Sequence, residues 1–169
     1  HPFIVNVMFA FHDGMSCFLG MEHLRGGDLR YHLLKNVVFD EKMTSFIVAC
    51  IGSALHFIHS KKIIHRDVKP ENIILDARGY PRLVDFDISY IGVTDTGVVC
   101  KLRSGTKPYM APEIFTKSHR HSFEADFWSL GVVCYELIYT KKPFHKQAPT
   151  KYVDYSDMNY QDIYWDRWS

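Results

Sequence analysis

The sequence predicts an α+β fold in which helix outweighs strand. Three observations carry this expectation. The first twenty residues form an apolar, β-rich run that doubles back on itself. One long segment bears an apolar stripe of helical period, and a second long segment is apolar on nearly every side.

The elements follow in order. Phe3 to Phe11 is built of aromatic and β-branched residues, His12-Asp13-Gly14 supplies turn chemistry, and Cys17 to Met21 is a second short strand, so the start reads as a hairpin. Gly26-Gly27 breaks the pattern, and Asp28 offers a side-chain oxygen to cap a short helix through Leu34. The strongest helix begins after Asp40. Met43, Phe46, Ile47, Cys50, Ile51, Ala54, Leu55 and Ile58 recur at spacings of three and four, which puts them on one face. Short strands are expected at Ile63-Ile64, Ile73 to Leu75 and Arg82 to Val84. A second long helix is expected from Ser122 to about Tyr139, and its all-round apolar character predicts burial in the middle of the domain. The 29 residues from Asp85 to Glu113 read as one loop, longer than the ~15 residues beyond which loops are uncommon unless functional or disordered. Residues 146–169 alternate Tyr, Trp and Asp without a clean period and read as a divergent tail, with one short helix expected from about Tyr160.

A chain of 169 residues is long enough for one domain that buries roughly 70% of its unfolded surface. The net charge of +1 gives no electrostatic reason to expect nucleic acid or an anionic membrane as partner, and Lys61-Lys62 reads as a solvated helix end. The four cysteines lie more than thirty residues apart with no C-x-x-C pair, which fits separate reduced thiols and a cytoplasmic setting, with nuclear or membrane-peripheral placement left open. No apolar run reaches the ~18 residues of a membrane span, and the opening at His1 inside an apolar element reads as that of a fragment.

The residues that carry chemistry are concentrated in His65-Arg66-Asp67-Val68-Lys69-Pro70-Glu71-Asn72 and in Asp85-Phe86-Asp87. Transfer of a γ-phosphoryl group needs a carboxylate to orient the attacking hydroxyl, a cation on the moving phosphate, and oxygen ligands for Mg²⁺. These two stretches hold all of those groups in the order and spacing of a phosphotransfer signature. As a chance acidic turn the Asp-Phe-Asp triplet alone would be unremarkable. Chance does not also produce Gly105-Thr106-Lys107-Pro108-Tyr109-Met110-Ala111-Pro112-Glu113 and Asp126-Phe127-Trp128-Ser129-Leu130-Gly131 at the head of an apolar helix. His56 and His59, three apart on one helix, read as structural histidines, because no third ligand lies near them in sequence.

On these motifs the chain resembles the catalytic domain of a serine/threonine protein kinase. Gly26 to Leu33 and Gly105 to Glu113 look most like the YANK (serine/threonine kinase 32) subfamily, relatives of the AGC group. The resemblance implies a protein-kinase-like fold over residues 1–145: the end of the small lobe at 1–21, a hinge at 22–28 and most of the helical large lobe at 29–145. It implies ATP and Mg²⁺ as cofactors and a protein substrate with a Ser or Thr acceptor. Asp67 would orient the substrate hydroxyl, Lys69 would neutralise the γ-phosphate, and Asn72 and Asp85 would hold Mg²⁺. Met21, Glu22 and Leu24 would face adenine, Asp28 and Glu71 would border the ribose side of the nucleotide, and Ile74 would lie beneath the base. Arg66, Phe86, Thr106 and Glu113 would set the active conformation, with Thr106 close to Asp67 and Lys69. Asp126 would tie down the catalytic loop. Glu71, Glu136 and Asp28 match acidic positions that in some relatives read basic residues upstream of the acceptor, although Glu136 could equally be a solvated carboxylate.

Several features depart from the family pattern. Asp87 stands where most kinases have glycine, which would cost something like 1 kcal/mol if that residue needs a left-handed backbone. Leu102 stands where AGC-type kinases have a phosphorylatable Thr, so control through Arg66 by that modification is not expected. No G-x-G-x-x-G occurs, and no lysine precedes Lys35, so these 169 residues lack the strand lysine and Gly-rich loop that grip the α- and β-phosphates. The expectation is a Ser/Thr kinase core, weak or inactive by itself. The rival is a truncated kinase-like protein that binds or competes without catalysing.

Overall fold

The computed structural model describes residues 1–92 and 99–144. The tail expected at 146–169, with its short helix, lies outside the described residues. Strands β1 (Val7–His12) and β2 (Cys17–Met21) pair antiparallel across the expected turn, where the Asp13 carboxylate accepts from the backbone N–H groups of Met15 and Ser16. The first strand begins at Val7 rather than Phe3. The preceding residues pair with Leu83 instead, which donates its N–H to Phe3 O at 2.9 Å and accepts from Val5 N–H at 3.0 Å. The hairpin stands proud, with Phe9 61% and Leu19 60% exposed.

Helix α1 (Leu29–Leu34) is capped by Asp28, whose carboxylate accepts from Tyr31 N–H, and α2 (Glu41–Ser60) is capped in the same way by Asp40. The α2 stripe behaves as its spacing demands: Ile47, Cys50, Ile51, Ala54, Leu55 and Ile58 are buried, while Met43 and Phe46 at the outer end are half exposed. By length and composition α2 could cross a bilayer. Its apolar face is instead spent on the core against α3 (Glu124–Tyr139).

The second long helix starts two residues later than expected, and its burial follows one side. Leu130, Val132, Val133 and Leu137 are buried in the core, whereas Phe127 and Ile138 remain 47% and 40% exposed. Polar residues share the buried side: Asp126, Ser129 and Glu136 are all inward, each with a hydrogen-bond partner. The helix is therefore an organiser of polar groups as much as a hydrophobic post.

Besides the hairpin, two two-stranded ladders frame the loop region. Strand β3 (Ile63–Ile64) pairs with β6 (Tyr90–Ile91), and β4 (Ile73–Leu75) pairs with β5 (Pro81–Leu83), one residue earlier than expected for the latter. The long segment from Asp85 to Glu113 is thus not one unstructured loop. It carries β6 and the 3₁₀ turn Lys107–Tyr109, and it is pinned where Cys100 and His121 exchange backbone hydrogen bonds.

Candidate active site

The 65–72 stretch lies between β3 and β4 and is fixed from below by one buried carboxylate. Asp126, with no solvent exposure, accepts from His65 N–H at 2.9 Å, Arg66 N–H at 2.8 Å and His59 Nε2 at 2.8 Å. This assigns His59 to the scaffold, as expected from its isolation in sequence; His56 is exposed. Arg66 adopts a left-handed backbone with φ of 69°, a conformation costly for a residue with Cβ, and the Asp126 bonds on its own N–H and its neighbour's hold it there.

His65 is fully buried, and its protonation follows from its partners. Val84 O can only accept, so Nε2 at 3.0 Å must carry the proton; Asp67 N–H donates to Nδ1 at 3.3 Å, so Nδ1 must be bare. Burial pushes the imidazole below its ordinary range and outweighs the pull of Asp126, Asp67 and Asp85. The Phe86 ring packs edge-on against it at 4.8 Å.

Above this floor four side chains close on one another. Lys69 Nζ donates to Asp67 Oδ2 at 2.6 Å and to Thr106 Oγ1 at 3.0 Å, and the Thr106 hydroxyl donates to Asp67 Oδ1 at 2.7 Å. Asn72 Nδ2 donates to Asp67 O at 2.9 Å and to Asp67 Oδ2 at 3.1 Å. Burial alone would raise the Asp67 carboxyl, but Lys69, Thr106 and Asn72 hold it below the usual carboxylate range. The Asn72 amide is oriented by the same logic as His65. Its nitrogen faces two acceptors, so Oδ1 is left as the amide's remaining ligand atom.

Asp85 follows β5 after the single residue Val84. Val84 N–H donates to Asn72 O at 3.0 Å, which seats the strand end beside Asn72, and Asp85 itself is exposed with a left-handed φ of 64°. The strain expected at Asp87 is absent, since Asp87 does not adopt a positive φ; the preceding acidic residue takes that conformation instead. Asp87 N–H reaches back to Asp85 Oδ1 at 3.4 Å. An amide oxygen and a carboxylate are hard oxygen donors, so this pair fits Mg²⁺ in chemistry.

The remaining expected residues sit at the edges. Met21 closes β2, and Glu22 accepts from Asn6 N–H at 2.9 Å and Asn6 Nδ2 at 3.0 Å. Gly26 N–H donates to Leu75 O, and Leu75 N–H to Gly27 O, both at 2.9 Å, which fastens the 22–28 stretch, including Leu24 and Asp28, to β4 and Ile74. Glu113 lies on the wall of a cavity of about 300 Å³ shared with Arg120, His121 and Glu124. Arg66 spends its guanidinium on Ile88 O, Cys100 Sγ and Leu102 O.

Glu136 is not solvated. It is 4% exposed and accepts from Arg30 through both oxygens, at 3.0 and 3.1 Å, and from Tyr109 OH at 2.6 Å. Arg30 also donates to Glu71 at 2.9 Å and to Tyr109 OH. The sequence reading missed Arg30 altogether. No local pattern links it to a carboxylate 106 positions away.

The sequence pattern of the protein kinase domain matches residues 1–168. The chain belongs to the protein kinase family. It is 45% identical over 148 residues to serine/threonine-protein kinase 32C of Homo sapiens, an alignment covering 85% of this chain and 30% of that protein. Serine/threonine-protein kinase 32B of Homo sapiens is 39% identical over 154 residues (89% and 37%), and RAC-beta serine/threonine-protein kinase of Rattus norvegicus is 40% identical over 149 residues (87% and 30%). The kinase chain described here thus spans about a third of the length of these relatives. The first two matches bear out the subfamily resemblance carried by Gly26 to Leu33 and Gly105 to Glu113.

Proposed function

We propose that this chain carries the proton-orienting and metal-holding half of an ATP-dependent kinase acting on Ser or Thr hydroxyls of proteins. The observation that carries the reading is the closed set Asp67, Lys69, Thr106 and Asn72, built on the buried Asp126. Asp67, ionised because its carboxyl is held low, accepts the proton of the incoming hydroxyl through an oxygen that Thr106 or Lys69 occupies in this structure. Lys69, two residues away, swings from carboxylate to phosphate without leaving the site. Asn72 Oδ1 and the exposed Asp85 carboxylate would hold Mg²⁺, which would supply charge neutralisation on the phosphates of bound ATP. Met21, Glu22, Leu24, Asp28, Glu71 and Ile74 form the nucleotide side, and Arg66, Phe86 and Glu113 hold the segment that follows Asp85.

The nucleotide grip is half supplied by these residues, because no lysine precedes Lys35 and no Gly-rich loop is present. Phosphotransfer from Mg·ATP to a Ser/Thr peptide is therefore expected to be slight for the 169-residue chain and strong for a chimera supplying a Gly-rich strand-turn-strand and a strand lysine at its N-terminus. In that chimera Asp67→Asn is expected to lower kcat by about 10²–10⁴-fold. A chimera that binds Mg·ATP yet transfers phosphate equally well with Asn at position 67 would refute the assignment.

A further inference from the structure

Beside the Asp67 cluster lies a second polar cluster with a different charge logic. Glu71 is adjacent to Asn72, a hydrogen-bond partner of Asp67, in the 3₁₀ turn Pro70–Asn72, so under the kinase reading its carboxylate would border the path of an acceptor segment to Asp67. Behind it Glu136 is buried on α3. A pair of carboxylates at the rim of an acceptor site is ordinarily an attraction for basic side chains. Here the attraction is already met from within. Arg30, on the first turn of α1, fills the space between the two, with Nε on Glu71 at 2.9 Å and Nη1 and Nη2 on the two Glu136 oxygens. Lys142 Nζ adds a second cation 3.9 Å from Glu136 and lies 5.5 Å from the centre of the Tyr109 ring.

The remaining groups facing the cluster add no free negative charge. Burial and the neighbouring Glu136 raise the Tyr109 phenol far above its ordinary range, so it stays neutral. Burial opposes the charge on Arg30, but Glu136 and Glu71 outweigh it and hold the guanidinium protonated. Asp28 caps α1 at Tyr31 N–H, 2.7 Å away, and is not among the hydrogen-bond or ion-pair partners of Arg30, Glu71 and Glu136. Two cations therefore stand against two carboxylates, and the bidentate fork on Glu136 is a geometry that an incoming lysine or arginine could not displace without leaving Arg30 itself half-buried and unpaired.

We infer that Arg30 is an internal occupant of the cation subsite formed by Glu71 and Glu136, so that the acceptor segment crossing this wall is selected for uncharged rather than basic residues. The inference rests on the kinase reading of Asp67 for the direction from which substrate arrives. The preference itself is a binding property and is measurable without turnover.

The test uses the full chain and fluorescent eight-residue peptides with Ala at the acceptor position and either two Arg or two Gln on its N-terminal side, read by anisotropy. For the wild-type chain the two peptides are expected to bind within about threefold of each other. Arg30→Gln is expected to favour the Arg peptide by at least about tenfold, an advantage that shrinks as salt rises. Should Arg30→Gln not fold by circular dichroism, Arg30→Gln combined with Glu136→Gln removes the buried unpaired charge while freeing Glu71; it is expected to favour the Arg peptide by at least about threefold. A wild-type chain that itself prefers the Arg peptide tenfold, or a preference unchanged between wild type and folded variants (including no binding by any of them), overturns the inference. Phosphotransfer to the Ser versions of the same peptides by the chimera described above is scored separately. Its Asp67-independence would sink the kinase reading while leaving the binding preference to stand or fall alone.

Discussion

Replacing Asp126 by alanine is expected to be among the most damaging single changes at the site, although the residue touches neither nucleotide nor acceptor. The carboxylate is fully buried and satisfies three donors: His65 N–H, Arg66 N–H and His59 Nε2. Alanine leaves two backbone donors without an acceptor where water has little access. Each orphaned donor costs about 1–3 kcal/mol, and breaking a buried paired carboxylate typically totals about 3–5 kcal/mol. Arg66 adds to the loss, since its left-handed backbone is no longer held. With a urea m-value of about 2 kcal/mol per M, the midpoint should fall by about 1.5–2.5 M. Asp126→Asn keeps one acceptor oxygen and turns a donor toward the other N–H, so it should lose roughly half as much. Urea unfolding followed by circular dichroism measures both. A loss below about 1 kcal/mol for the alanine variant would mean that the 65–72 stretch is held by something other than this carboxylate.

Two further outcomes follow from the same geometry. His65 is buried neutral with a lowered pKa, so the unfolded chain binds a proton that the folded chain refuses; stability should therefore fall as pH drops below the unfolded value of ~6.5, with a limiting slope of about 1.4 kcal/mol per pH unit. Unfolding midpoints measured from pH 8 to 5 should show that slope in the wild type and a shallower one in His65→Gln; identical profiles would count against the neutral ring. Gly105→Ala should destabilise by about 1–3 kcal/mol, because Gly105 sits at φ of 120° and an added Cβ would meet Arg66 O at 2.6 Å. Thermal denaturation checks this, and an alanine variant as stable as the parent would show that the 105–106 turn is not pressed against the catalytic loop.

Local signals in the sequence located most elements, and long-range ones did not. The α2 stripe, its Asp40 cap and the Asp28 cap were legible because each is a short-range rule of period or hydrogen bonding, and each reappears in the structure. The burial of α3 was misread because an apolar composition on every side does not say which side meets the core; Phe127 and Ile138 remain half exposed while Asp126 and Glu136 go inward. β6 was not expected, since a two-residue strand has no periodicity to detect and exists through its pairing with β3. At the site, residue types and spacing pointed to Asp67, Lys69 and Asn72, and the kinase resemblance added Thr106; the structure joins all four through hydrogen bonds. Arg30 stayed invisible because its partners lie 41 and 106 residues away, and Glu136 was read as possibly solvated for the same reason.

The two halves of the site are held by different means, and that difference bears on how it would work. Asp67 is clamped from every side by Lys69, Thr106 and Asn72, over a floor whose hydrogen bonds run to Asp126 and Val84 O. Asp85, by contrast, is exposed, and the bond it receives from Asp87 N–H is long at 3.4 Å. A group that orients one proton would gain from such preorganisation, because folding fixes its position and only the Lys69 or Thr106 bond has to be given up when the hydroxyl arrives. A ligand for a hard cation that arrives with its nucleotide gains from the opposite, since a carboxylate already tied into a buried network would have to give up those bonds to take the metal. At Asp85 the left-handed backbone and the Val84 N–H bond to Asn72 O position the main chain, and neither engages the carboxylate oxygens, one of which accepts only the long bond from Asp87 N–H.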